Sequence, residues 1–81
     1  MKVDVLLFAQ LADAVGARSL SVDMADGATV DDVMTRLAET HEPIRVMRET
    51  IAVALDERYV GEGTRVRDGC TLALIPPVSG G

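Results

Sequence analysis

From Thr29 to Thr40 the apolar residues fall at Val30, Val33, Met34, Leu37 and Ala38. That spacing puts all five on one stripe of a helix and leaves Asp31, Asp32, Arg36 and Glu39 outside it. Thr29 is a good N-cap residue. Asp32, three positions on, approximates a capping box and suits the positive end of the helix dipole. Pro43 disfavours helical geometry at Glu42, so the helix is expected to end near Thr40. A helix with one apolar stripe must lay it against something. Most of the remaining segments are short and alternate with period 2, so a sheet is the available partner.

The first of those segments, Lys2 to Phe8, reads as a strand with Val3, Val5 and Leu7 on the core face. Lys2, Asp4, Leu6 and Phe8 point the other way. That second face is polar at its start and apolar at its end, so Phe8 is either tucked under the next helix or part of a docking patch. Ala9 to Val15 reads as a short helix with Leu11, Ala12 and Val15 inward and Gly16 as its C-cap. Ser19 to Met24 is a second strand, with Leu20, Val22 and Met24 on one side. A loop follows through Ala28.

After the main helix, Ile44 to Glu49 is ambiguous and compatible with a helical turn. Ile51 to Leu55 is a strand with Ile51, Val53 and Leu55 on one face. Asp56-Glu57-Arg58 is a tight turn that the Asp56 side chain can support, and Tyr59-Val60 begins the return strand. Gly61 to Gly69 is a loop with a possible helical turn around Arg65–Arg67. Thr71 to Ile75 is the last strand, Leu72 and Leu74 inward, Thr71, Ala73 and Ile75 outward. The order β, short α, β, α, β, β, β predicts an α+β fold, a mixed sheet wrapped on one main helix in the ubiquitin-like β-grasp arrangement.

The 81 residues suffice for one small domain burying roughly 60–65% of its unfolded surface. The aromatic residues are Phe8 and Tyr59, so the core is expected to be aliphatic. A net charge of −5 argues against nucleic acid or an anionic membrane and suits a basic patch on a protein partner. Cys70 is the one cysteine and has no partner for an internal disulfide, which fits a reducing compartment. It reads as a small buried filler. His41 is the one histidine, without further ligands spaced for a metal, and reads as a helix-end residue. No signal peptide or membrane-spanning stretch is visible, so the expected location is cytoplasmic. No nucleophile–base pair and no phosphate-binding glycine loop is evident, so the chain is not expected to be an enzyme on its own.

Residues 1–75 are expected to form the folded body and residues 76–81 an extended tail. Proline gives a sheet ladder no N–H, so pairing should end at Pro76. Pro76-Pro77 favours a stiff segment pointing away from the body, and Val78-Ser79-Gly80-Gly81 completes a slim tip. From Pro76 to Gly81 an extended chain reaches roughly 20 Å. The carboxylate of Gly81 is ionised at neutral pH and is a poor electrophile. To react it must be activated, for which ATP adenylation is the usual route. Glycine, lacking a side chain, can thread a narrow channel and leave the acyl carbon open.

The sequence resembles the small, sulfur-carrying subunits of molybdopterin synthase. The match lies in Val5-Leu6-Leu7-Phe8-Ala9-Gln10-Leu11 with Gly16, in Ala54-Leu55 with Tyr59-Val60, in Asp68-Gly69, and above all in Ile75-Pro76-Pro77-Val78-Ser79-Gly80-Gly81. The resemblance implies a carrier with no bound cofactor. Its Gly81, with Gly80 before it, is adenylated by a ubiquitin-activating-like enzyme that uses ATP. A sulfur donor protein then converts it to a thiocarboxylate. The tail enters the synthase large subunit and gives its sulfur to cyclic pyranopterin monophosphate, in a heterotetramer of two carriers and two large subunits. Phe8, Tyr59 and Ile75 are then candidates for one partner-binding patch beside the tail root, with Pro76, Pro77, Val78 and Ser79 also contacting the partner. Three other readings stand beside it: a Gly-Gly sulfur carrier for thiazole synthesis or tRNA thiolation, a ubiquitin-like modifier joined to lysines through Gly81, and a plain interaction module.

Overall fold

A computed structural model describes residues 1–77. Its elements are β1 (Lys2–Leu7), α1 (Ala9–Val15), β2 (Ser19–Asp23), α2 (Val30–Thr40), α3 (Glu42–Met47), a 3-10 turn (Arg48–Thr50), β3 (Ala52–Leu55), β4 (Arg58–Tyr59) and β5 (Thr71–Ile75). The sheet order is β2-β1-β5-β3-β4. β1 and β5 run parallel at its centre, with Val5 opposite Leu72 and Leu7 opposite Leu74, while the other pairs are antiparallel. This is the expected mixed sheet.

Alternation decides the faces. Val3, Val5 and Leu7 of β1 and Leu72 and Leu74 of β5 are buried on one side of the sheet. Val30, Val33, Met34 and Leu37 of α2 meet them, joined by Leu11 of α1 and Ile44 of α3. Phe8 and Tyr59 are both exposed, so the core is aliphatic, as composition predicts. Cys70 is buried within it.

The start of α2 shows how a helix end is satisfied. The Thr29 hydroxyl accepts from the Asp32 N–H, and the Asp32 carboxylate accepts from the Thr29 N–H, a complete capping box. The next unpaired donors, the N–H groups of Val30 and Asp31, reach the carbonyls of Thr64 and Glu62. The loop before β5 therefore lies along the helix start. Arg65 makes an isolated antiparallel bridge to Thr29, and Val66 is buried with its N–H on the Ala28 carbonyl. No helical turn forms at Arg65–Arg67, because the segment's hydrogen bonds go to the helix start instead.

Pro43 ends one helix and starts another. α2 stops at Thr40 and His41 takes an extended conformation, φ −131° and ψ 101°. Glu42 then opens α3, with Pro43 in its first turn, where a missing N–H costs no helical bond. The ambiguous segment is therefore a helix, held down by the buried Ile44. Arg48 follows and donates to the Asp31 carboxylate and to the Thr35 hydroxyl, tying this region back to α2.

Candidate functional site: the outer sheet face and the tail root

The face of the sheet turned away from the helices carries apolar residues in register. Leu6 lies opposite Ala73, Ala73 opposite Ala54, and Ala54 opposite Tyr59. These four residues make one row across β1, β5, β3 and β4. One step along, Ile75 lies opposite Ala52, and Phe8 directly follows β1. Leu6, Phe8, Ala54, Ala73 and Thr71 line a shallow concavity of about 350 Å³, with Asp56 and Glu57 at its edge. Small alanines in the middle of the row and large residues around it give that face its hollow.

Phe8 is 44% exposed, which resolves the choice left open by the sequence: its ring is not tucked under α1. Tyr59 is 72% exposed at the far end of the row, and Ile75 is half-buried above the point where the chain leaves the sheet. The three predicted patch residues thus occupy one face, joined through Leu6, Ala73 and Ala54. Sequence reasoning placed Leu6 and Ala73 on the outward side but did not single them out for contact. Ala54 became visible as a member once the β3–β5 register was known.

The edge of the hollow is tied to β5 by hydrogen bonds. Asp56 and Glu57 form a two-residue hairpin turn with φ of 46° and 74°, the type I′ arrangement that matches the twist of the strands. The Asp56 side chain was expected to support its own turn. It instead accepts from the Thr71 N–H at 3.0 Å and from Arg67 at 3.2 Å, fixing the hairpin to the start of β5. The Asp56 N–H returns a bond to the Thr71 carbonyl at 2.9 Å.

Because β1 and β5 are parallel neighbours, Phe8 and the tail root emerge at the same end of the sheet. β5 ends at Ile75, as the following proline requires. The expectation that Pro76-Pro77 points away from the body is not met at its first residue. Pro76 is buried and packs as part of the body, while Pro77 is exposed. The Pro77 carbonyl accepts a hydrogen bond of 3.0 Å from Gln10 Nε2 on α1. Sequence reasoning missed this role for Gln10, because nothing in a lone glutamine at a helix start points to a residue 67 positions away. Val78, Ser79, Gly80 and Gly81 lie outside the described residues. No described helix is long and apolar enough to cross a membrane.

Comparison with known proteins places this geometry in a family. The sequence matches the ThiS family over residues 5–81. It is 30% identical over 83 residues to the molybdopterin synthase sulfur carrier subunit of Chlamydomonas reinhardtii, with both chains fully covered. It is 38% identical over 90 residues to small archaeal modifier protein 1 of Haloferax volcanii, covering 93% of this chain and 95% of that one. A crystal structure of SAMP1 from Haloferax volcanii superposes with a TM-score of 0.89 at 34% identity over the whole of both chains.

Proposed function

The chain belongs to the ThiS family, and from that premise we propose that it is the sulfur carrier subunit of a molybdopterin synthase, with Gly81 as the acyl group that carries the sulfur. The sulfur carrier relative, matched end to end, supports the assignment. The observation that carries it is the parallel pairing of β1 with β5. That pairing sets the root of the Gly-Gly tail at the border of an apolar face. A partner that covers Leu6, Phe8 and Ala73 is then already beside the tail it must receive.

The chemistry follows from a carboxylate that needs activation. The Gly81 carboxylate attacks the α-phosphate of ATP on a ubiquitin-activating-like enzyme, forming an acyl adenylate and releasing pyrophosphate. Sulfide supplied by a donor protein adds to the acyl carbon and displaces AMP, leaving a thiocarboxylate. In the large subunit the thiocarboxylate sulfur bonds to a carbon of cyclic pyranopterin monophosphate with loss of an oxygen leaving group. Water hydrolyses the resulting thioester to the Gly81 carboxylate and a carbon-bound thiol, and a second carrier supplies the second sulfur. The carrier's own part is reach and presentation. Pro76 belongs to the body, so the reach counts from Pro77, and the four following residues span at most about 14 Å. The apolar face supplies the kind of aromatic and aliphatic anchors that dominate interface energetics.

A second reading has its own support: the 38% identity to an archaeal modifier protein. Activation is the same, but the acceptor is a lysine amine and the product an amide. One reconstitution separates the two. The native chain is incubated with ATP, the activating enzyme and a sulfur donor, then with a molybdopterin synthase large subunit. The carrier reading predicts a sulfur-for-oxygen mass exchange on the chain and dithiolene product. A chain with one residue added after Gly81 should fold normally and deliver nothing. Product from that extended chain would falsify the tail mechanism, and lysine-linked conjugates without thiocarboxylate would favour the modifier. Phe8→Lys or Ile75→Lys should weaken large-subunit binding at least tenfold, a larger effect than on stability. Unchanged affinity would remove the apolar face from the contact.

A further inference from the structure

We propose that Gln10 is a positioning residue for the tail root: its side-chain amide holds the Pro77 carbonyl and so restrains the last described torsion of the chain. The inference rests on the carrier reading for its consequence, but not for its geometry.

The argument begins with which torsions at the root remain free. Proline locks φ of both Pro76 and Pro77 near −65°. The residue before a proline is restricted in ψ, which constrains Ile75 and Pro76. Pro76 is also buried. The soft torsion left between the sheet and the tail is ψ of Pro77. That rotation swings the Pro77 carbonyl and, with it, the bond to the next residue. Gln10 Nε2 donates to that carbonyl oxygen at 3.0 Å. This hydrogen bond therefore acts on the one soft torsion of the Pro76-Pro77 root.

The donor type also fits. Pro76 and Pro77 have no N–H, so this stretch of backbone offers acceptors alone and a tether must donate. A side-chain amide donates without bringing a charge beside the apolar face. Gln10 is set in place by an unusual turn: Ala9 has φ of 50°, a left-handed value that is uncommon for a residue with a Cβ. The turn carries the chain from the end of β1 straight into α1, whose first amide bonds, from Leu11 and Ala12, return to the Phe8 carbonyl. Local strain of this kind collects at functional positions. Here it lies next to the residue that grips the tail root. The gain from holding that torsion is bounded by the net strength of the one hydrogen bond that holds it, so a pre-set root should bind its acceptor channel about 2- to 10-fold better than one with a free Pro77 torsion.

The test uses the full chain with its native C-terminus and three variants. Gln10→Glu keeps the shape but turns the donor into a carboxylate. Gln10→Ala removes the group. Gln10→Arg restores a donor of sufficient length. In the isolated protein, NMR should show a scalar coupling between Gln10 15Nε2 and Pro77 13C′, and the Pro77 13C′ resonance should move in the Glu and Ala variants. In steady-state adenylation with the activating enzyme, KM should rise about 2- to 10-fold for Glu and Ala with kcat within twofold, and Arg should recover most of the loss. Urea midpoints should stay together, which a merely structural role would not predict. An unmoved Pro77 resonance overturns the clamp. A moved resonance with an unchanged KM overturns its role in presenting the tail. If the native chain is not adenylated at all, the carrier reading fails instead, and the clamp stands or falls on the Pro77 resonance.

Discussion

Truncating Leu74 to alanine removes buried mass from the strand at the centre of the sheet. Leu74 has no exposed surface and lies between Leu7 of β1 and Val53 of β3. Three carbon atoms leave the core, worth about 2.4 kcal/mol at roughly 0.8 kcal/mol each. A residual cavity between two paired strands adds to that, so the expected loss is about 3–4 kcal/mol. A domain of this length has a total stability of roughly 4–12 kcal/mol, so the loss takes between about a quarter of it and nearly all. The melting temperature should fall by roughly 12–32 °C. The chain lacks tryptophan, so urea unfolding is best followed by far-UV circular dichroism. Ile75→Ala is the control, on the outward side one residue along, and should cost about 1 kcal/mol. The inward and outward assignment of β5, and with it the register beneath the candidate site, is refuted if the two variants lose the same stability.

Three further substitutions test local geometry by the same unfolding assay. Glu57→Gly should stabilise the domain by about 0.5–1 kcal/mol, because φ of 74° suits glycine better than glutamate; a loss would mean that the Glu57 side chain makes a needed contact. Thr29→Ala should cost about 1 kcal/mol by breaking the capping box, and no change would show that the loop carbonyls of Glu62 and Thr64 suffice. Gly16→Ala should cost about 1 kcal/mol from its φ of 83° alone, since an added Cβ meets nothing within 4 Å.

Periodic patterns were legible in the sequence because burial imposes them directly. The Val30–Ala38 stripe, the alternation in Lys2–Leu7 and Thr71–Ile75, and the Thr29/Asp32 cap all appear where they were expected. The fold class follows from those elements. The failures have a common cause in hydrogen bonds between residues distant in sequence. Arg65–Arg67 has the composition of a turn, but its backbone is claimed by the start of α2. The stop near Thr40 read from Pro43 is borne out, and the same residue also sits in the first turn of α3. At the site, Phe8 and Ile75 stood out as outward apolar residues next to the tail. Ala54 and Gln10 did not, because their places depend on the β3–β5 register and on a contact with Pro77.

The central position of β5 has a consequence for how the molecule is made. β1 is synthesised well before β5, yet one of its two edges stays open until residues 71–75 arrive. Until then β3 and β4 form a hairpin with no sheet to join, and Val5 and Leu7 lack Leu72 and Leu74 as neighbours. Such long-range closure is slow compared with helix formation. A nascent chain can therefore form α2 early but cannot complete its sheet. A product broken off before β5 leaves two strand edges unpaired, which marks it for aggregation or degradation. Completion of the sheet thus records that synthesis has passed residue 75, the last position before the segment on which the proposed chemistry depends.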